Sequence, residues 1–282
     1  MSKIILSAFA DEAGSSLAEQ IDALVSNNIP YIEIRGVNGK NIADHTPEEA
    51  LAVAKELEKH GIAIWSIGSP IGKVRLGDNF DRELARFENV LEIAKVTGAK
   101  CIRLFSFFDA SALGENAKAE VIRRLSAFVE AAKDSGVVLC HENEKGIYGD
   151  NIERCEEILT EVKGLAAVFD PANFIQCGVD TAKAWDTLKS HVYYLHIKDA
   201  LADGTVVPAG YGDGNLKKIV SEFIAQGGGV ATLEPHLHSF MGLDKLSGED
   251  AAKIMGNRRF KDGREAFDFA VAAFRDLVAS VE

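Results

Sequence analysis

The sequence is poor in the features that mark exported, membrane-spanning or nucleic-acid-binding chains. Its 282 residues hold only four cysteines (Cys101, Cys140, Cys155 and Cys177), with no C-x-x-C pair among them. The N-terminal stretch M-S-K-I-I-L-S-A-F-A-D-E carries one lysine and a very short apolar run before its acids, which is not a secretory signal. Reduced thiols in a cytoplasmic protein are therefore expected. No apolar run approaches the length that crosses a bilayer. Positive charge is also scarce: 31 Lys and Arg against 43 Asp and Glu leave a net charge of −12. Such a surface repels a phosphate backbone unless a basic patch overrides it. The densest candidate, Arg258, Arg259, Lys261 and Arg264, is broken by Asp262. Neither nucleic acid nor a membrane is expected as a partner. There is no G-x-G-x-x-G after the first strand and no Pro/Ser-rich linker, which argues against a dinucleotide fold and against a division into domains.

What is present is an alternation. Short runs rich in Val, Ile, Leu or Phe read as buried parallel strands at Ile4 to Phe9, Tyr31 to Arg35, Ala63 to Ile67 and Cys101 to Phe105. Four more fall at Val137 to Glu142, Ala166 to Asp170, Val192 to His196 and Val230 to Glu234. Between them lie segments of helical period. Ser16 with Glu19, and Thr46 with Glu49 after Pro47, form capping boxes. Leu17, Ile21, Leu24 and Val25 make one apolar stripe, and Phe80, Leu84, Phe87, Leu91 and Ala94 another. Gly61, Gly98, Gly136, Gly164 and Gly227 to Gly229 stand where helices stop. Eight strands, each followed by a helix, predict an α/β fold: one (β/α)8 TIM barrel spanning residues 1–282 as a single domain. The long connections Ser69 to Asn79, Asp199 to Gly214 and Pro235 to Ser247 fall on the face where such barrels bind substrates.

Four consecutive strands end in groups that suit a divalent ion: Glu142, Asp170, His196 and Glu234. A lone carboxylate at a strand end is usually a helix cap or an ion-pair partner. Four such residues on adjacent strands are expected to aim at one point, and clustered negative groups need a compensating cation. Three carboxylates and one imidazole make a hard, mostly oxygen site for one divalent metal ion, Mn²⁺, Mg²⁺, Co²⁺ or Zn²⁺. Glu144, two residues past Glu142, is the alternative ligand. Lys198 and Asp199, just beyond the histidine, are candidates for binding substrate. So are Arg103, which interrupts an apolar strand, and Glu33 and Arg35 at the end of strand two. His236 is a further candidate, while Trp65 and Phe9 would wall the pocket or belong to the core. Gly210 to Gly214 lacks the lysine and helix of a phosphate loop and reads as a turn.

The ordered set H-E-N (141–143), F-D-P-A-N (169–173), H-I-K-D (196–199) and L-E-P-H (233–236) resembles the xylose isomerase-like sugar phosphate isomerase/epimerase superfamily. The resemblance begins with S-A-F-A-D-E (7–12) and I-E-I-R (32–35) and covers nearly the whole chain. It implies that Glu142, Asp170, His196 and Glu234 hold the metal, with Glu142 and Glu234 as the catalytic pair. The chemistry it implies is proton abstraction beside a carbonyl, in an isomerase or epimerase acting on a small sugar, keto-sugar or inositol-derived substrate. A dehydratase working through the same enediolate is the alternative. An endonuclease IV-like repair enzyme fits less well, because it needs more metal ligands and a basic face. Asn173 stands where ketose epimerases of the superfamily often place histidine. A homo-oligomer is compatible with the sequence.

Overall fold

The computed structural model describes residues 4–110, 114, 116–239 and 260–282. Its eight parallel strands are β1 (Ile4–Ala8), β2 (Tyr31–Ile34), β3 (Ala63–Ile67) and β4 (Cys101–Leu104). They continue as β5 (Val138–Glu142), β6 (Leu165–Phe169), β7 (Val192–Ile197) and β8 (Gly229–Leu233). Each strand pairs with its neighbours in sequence, and β1 pairs with β8 to close the barrel. All eight expected strands are present and the TIM barrel is the fold. The differences lie at the ends: Phe9, Arg35, Phe105, Asp170 and Glu234 fall one residue beyond their strands, where regular pairing ends although Phe9 and Glu234 still donate to the neighbouring strand.

The outer helices are α1 (Leu17–Ser26), α2 (Pro47–Glu58), α3 (Phe80–Thr97), α4 (Ala117–Ala131) and α5 (Ile152–Glu161). After β6 come two the periodicity did not reveal, α6 (Pro171–Gln176) and α7 (Thr181–Leu188), followed by α8 (Leu216–Ala225) and α9 (Gly263–Ala279). Both capping boxes form, so the first turns of α1 and α2 have partners for their otherwise orphaned N–H groups. Gly98 ends α3 in the left-handed region at φ 74°, where a Cβ would be strained. The α1 stripe is narrower than expected, since Val25 is exposed while Ile21 and Leu24 are buried. No helix among the described residues is long and apolar enough to cross a membrane. Arg258 and Arg259, and most of the loop after Pro235, lie outside the described residues.

The core has two parts. A large cluster packs helices onto the outside of the strands. Inside the lumen, Cys101, Cys140, Val168, Tyr194 and Val230 from β4 to β8 form a separate apolar layer. Side chains two residues apart on a strand share a face, so the next inward positions on these strands lie directly above that layer. They are Arg103, Glu142, Asp170, His196 and, two steps past Val230 by way of Thr232, Glu234. The barrel thus stacks a polar layer on an apolar floor, at the C-terminal ends of the strands. All four cysteines are free thiols. Trp65 belongs to the floor, stacked on Tyr193 at 5.7 Å, and does not wall the pocket.

Candidate metal centre and active site

One ligand atom each from Glu142, Asp170, His196 and Glu234 lies within 4.8 Å of the others, and all four residues are buried. His196 points Nδ1 into the cluster, 3.1 Å from Glu142 Oε1, 3.5 Å from Glu234 Oε2 and 3.9 Å from Asp170 Oδ2. Asp170 serves two purposes at once. It is the N-cap of α6, where Oδ1 accepts from the Asn173 amide at 2.9 Å, and its Oδ2 faces the centre. Glu142 Oε2 and Asp170 Oδ2 accept no well-aligned hydrogen bond. The cations Arg103 and Lys198 stand 3.2 and 2.9 Å from them without donating along a favourable line. Two inward carboxylate oxygens left this way, beside a third carboxylate and an imidazole, fit a hard divalent ion. Glu144 does not join them: it pairs with Lys73 at 2.7 Å on the pocket rim.

Buried cations and polar clamps hold the acids in place. Lys198 Nζ bridges Asp170 Oδ2 and Glu234 Oε2, at 2.9 Å from each. It is buried, unlike the solvated loop lysine that its sequence position permits. Arg103 lies between the two glutamates, 3.2 Å from Glu142 and 3.8 Å from Glu234, with its guanidinium over the rings of Phe9 and Phe105. Arg35 binds Asp11, Glu12 and Glu234, so it ties the loop after β1 to the cluster. Asn173 donates to Glu142 Oε1 at 3.1 Å. Asn143 clamps the Asp170 backbone in both directions, donating to its carbonyl at 2.8 Å and accepting from its N–H at 3.0 Å. The amide of Asn173 thus positions a carboxylate.

The electrostatics follow from this packing. Burial alone would raise the Glu142 carboxyl, but His196 and Arg103 outweigh it and bring it below the usual range. Burial likewise opposes the charge on Glu234, yet Lys198, His236, His196 and Arg35 hold it well below that range. Asp170 goes the other way, raised by burial and by its two glutamate neighbours against the pull of Lys198. Burial would lower His196, while Glu142 and Glu33 push it up to about 10. Burial also raises Glu12 to about 8 despite Arg35.

The candidate substrate residues separate into two groups. Arg103, Lys198 and His236 line a cavity of about 200 Å³ together with Glu142, Glu234 and Asn173. Its outer part is formed by Lys73, Phe108, Glu144, Lys145 and Gln176. Glu33, Arg35 and Asp199 are not on its wall. Glu33 lies beneath the centre against Tyr194 and His196, and Arg35 is engaged by three acids. Asp199 is the clearest correction. Its carboxylate turns away from the pocket and accepts from the backbone N–H groups of Ala200, Gly210, Gly212 and Gly214. The glycine-rich segment is therefore an anion nest whose anion is internal. His236 adopts φ 48° and donates its backbone N–H to Glu12 Oε2 at 2.7 Å. Sequence reasoning left out Glu12, Asn143 and Tyr194; the only signal for Glu12 was its place in S-A-F-A-D-E.

The sequence matches the family model described as xylose isomerase-like TIM barrel over residues 21–258. No curated protein sequence matches significantly. Among solved structures, the chain is similar to the IolI protein with a bound zinc atom, at 17% identity and TM-score 0.73, covering 100% of this chain and 99% of that one. It is similar to an L-ribulose 3-epimerase at 15% identity and TM-score 0.73, covering 98% and 95%. It is also similar to the probable 3-DHS dehydratase AsbF from Bacillus anthracis at 16% identity and TM-score 0.69, covering 90% and 99%. At these identities the likeness establishes the fold, and the individual reactions stay with those proteins.

Proposed function

The chain belongs to the xylose isomerase-like TIM barrel family, and from that premise we propose a divalent-metal-dependent isomerase or epimerase of a small sugar, keto-sugar or inositol-derived ketone. The observation that carries the proposal is the convergence of Glu142, Asp170, His196 and Glu234 within 4.8 Å at the strand ends. The cavity of about 200 Å³ is smaller than the roughly 300–1,000 Å³ of drug-sized sites, which suits a sugar-sized molecule better than a polymer. Glu142, Asp170, His196 and Glu234 would hold the ion. When bound, the ion supplies Lewis-acid polarisation of the substrate carbonyl and offsets the charge of the enediolate.

The remaining work falls to the chain. Glu142 and Glu234 enter the mouth from β5 and β8, with Arg103 between them. One takes the proton from the carbon beside the carbonyl and the other returns a proton, to the adjacent carbon for isomerisation or to the opposite face for epimerisation. The cations around them favour the carboxylate of each, which suits the base; the one that returns a proton must first take it up from solvent. Lys198 and His236 face the cavity and would bind substrate oxygens, and Asn173 keeps Glu142 in place. A second reading, a dehydratase, is supported by the likeness to AsbF. There the same proton abstraction is followed by expulsion of a β-hydroxyl as water, with a pocket donor such as Lys198 protonating the leaving oxygen.

The test is solvent deuterium uptake across a panel of ketoses and keto-inositols, with the protein loaded with Mn²⁺. Exchange at a carbon beside a carbonyl, lost in Glu142→Gln, is the expected result; an enone absorbing in the near ultraviolet would favour the lyase. Exchange at the wild-type rate in Glu142→Gln would refute the assignment.

A further inference from the structure

We infer that Glu33 and Tyr194 are positioning residues, forming a brace that fixes the His196 ring with Nδ1, not Nε2, toward the three carboxylates. The inference rests on the metal-centre reading above and names residues that the reading does not use. Glu33 is fully buried in the lumen, on β2, and has no part in the pocket wall. Both its oxygens are engaged: Oε1 accepts from the Tyr194 hydroxyl at 2.9 Å, and Oε2 stands 3.2 Å from His196 Nε2. The Tyr194 hydroxyl is in turn 3.4 Å from Ser66 Oγ on β3. The chain Ser66–Tyr194–Glu33–His196 therefore crosses the barrel below the cluster and ends on the outer nitrogen of the imidazole.

Two physical consequences follow. A carboxylate opposite Nε2 keeps a proton on that nitrogen, so the lone pair available to a cation is the one on Nδ1. A ring turned by half a revolution would put carbon atoms where both nitrogens now sit, and the brace opposes that rotation. Packing works in the same direction, because Phe9 and Tyr194 meet the ring edge-on at 5.3 and 5.5 Å. Tyr194 thus acts twice, through its hydroxyl on Glu33 and through its ring on His196. Outer partners of a ligating histidine typically change metal affinity about 10- to 100-fold when removed.

The experiment compares the wild-type chain with Glu33→Gln and Tyr194→Phe by two readouts: calorimetric titration with Mn²⁺ alone, and ¹⁵N NMR of the histidine rings. Glu33→Gln removes the negative charge and keeps a single acceptor oxygen, so at best a neutral carbonyl stands opposite Nε2. It is expected to bind Mn²⁺ about 10- to 100-fold more weakly and to shift the hydrogen-bonded Nε2 proton signal of His196, or to lose it where the amide nitrogen turns toward the ring. Tyr194→Phe keeps the ring packing and the carboxylate, so its affinity should lie between the two. Wild-type affinity in both variants would overturn the brace. If the wild type itself takes up no Mn²⁺, the metal-centre reading fails, and the Nε2 signal decides the brace alone: unchanged in Glu33→Gln, it refutes the inference. If Glu33→Gln does not fold, Tyr194→Phe carries both readouts, and wild-type values there refute it.

Discussion

Replacing Asp199 with asparagine should destabilise the fold without touching the cluster, and the size of the effect can be worked out from the nest. Oδ1 accepts from Ala200 and Gly214, each at 2.9 Å, and Oδ2 from Gly210 at 2.9 Å and Gly212 at 3.1 Å. A carboxamide keeps one of these oxygens and turns the other into a donor. Two backbone N–H groups, partly buried on the Gly210 and Gly212 side and buried on the Ala200 and Gly214 side, then lose their acceptor and face an NH₂ group. Each unmet donor costs about 1–3 kcal/mol, so the change should cost roughly 2–6 kcal/mol. For a domain of this size that is a fall in Tm on the order of 4 to 12 °C. The control is Asp203→Asn in the same loop, where the carboxylate accepts only from Thr205 at an exposed position; its Tm should barely move. Scanning calorimetry of both variants in the presence of a chelator makes the comparison. A Tm for Asp199→Asn within about 1 °C of wild type would show that the four-donor clasp does not stabilise the loop.

Two further outcomes follow from the buried charges. Glu12 ordinarily titrates at 4.5 and is raised to about 8 here, burial being the main cause. Its contribution to stability is present below pH 4.5 and is lost as pH rises through 8, by an amount on the order of a few kcal/mol. Glu12→Gln should flatten chelator-treated unfolding curves between these limits, and an unchanged pH dependence would contradict the raised value. Because Glu142 and Glu33 push His196 up to about 10, an ion binding at Nδ1 must displace a proton below that pH. Mn²⁺ affinity should therefore rise about tenfold per pH unit near neutrality, and more steeply at lower pH, where raised Asp170 also takes up a proton. Affinity independent of pH in a calorimetric titration would contradict this.

The barrel was legible in the sequence because buried parallel strands announce themselves as short branched-apolar runs, and glycines marked the helix ends between them. The cluster was legible for the same reason: each ligand candidate follows such a run, so strand direction alone carries it to the mouth. Sequence position was less informative once the chain left the ladder. Lys198 and Asp199 are neighbours, yet Lys198 keeps the facing of His196 and enters the lumen, while Asp199 takes the opposite facing and anchors a loop. Glu144 shares the facing of Glu142 but sits beyond the strand, and the rim lysine Lys73 claims it. The clamps made by Glu12, Asn143 and Tyr194 join segments distant in sequence, through hydrogen bonds that no local periodicity encodes. α6 was missed because it is a six-residue helix whose cap is itself a ligand candidate, Asp170.

The central claim is that four side chains from β5 to β8 share one cation. Anomalous diffraction from crystals grown with Mn²⁺ measures this directly. The account predicts a single strong peak bonded to Glu142, Asp170, His196 and Glu234. A lumen without such a peak, or an ion bound elsewhere while these four residues contact only Lys198 and Arg103, would contradict it.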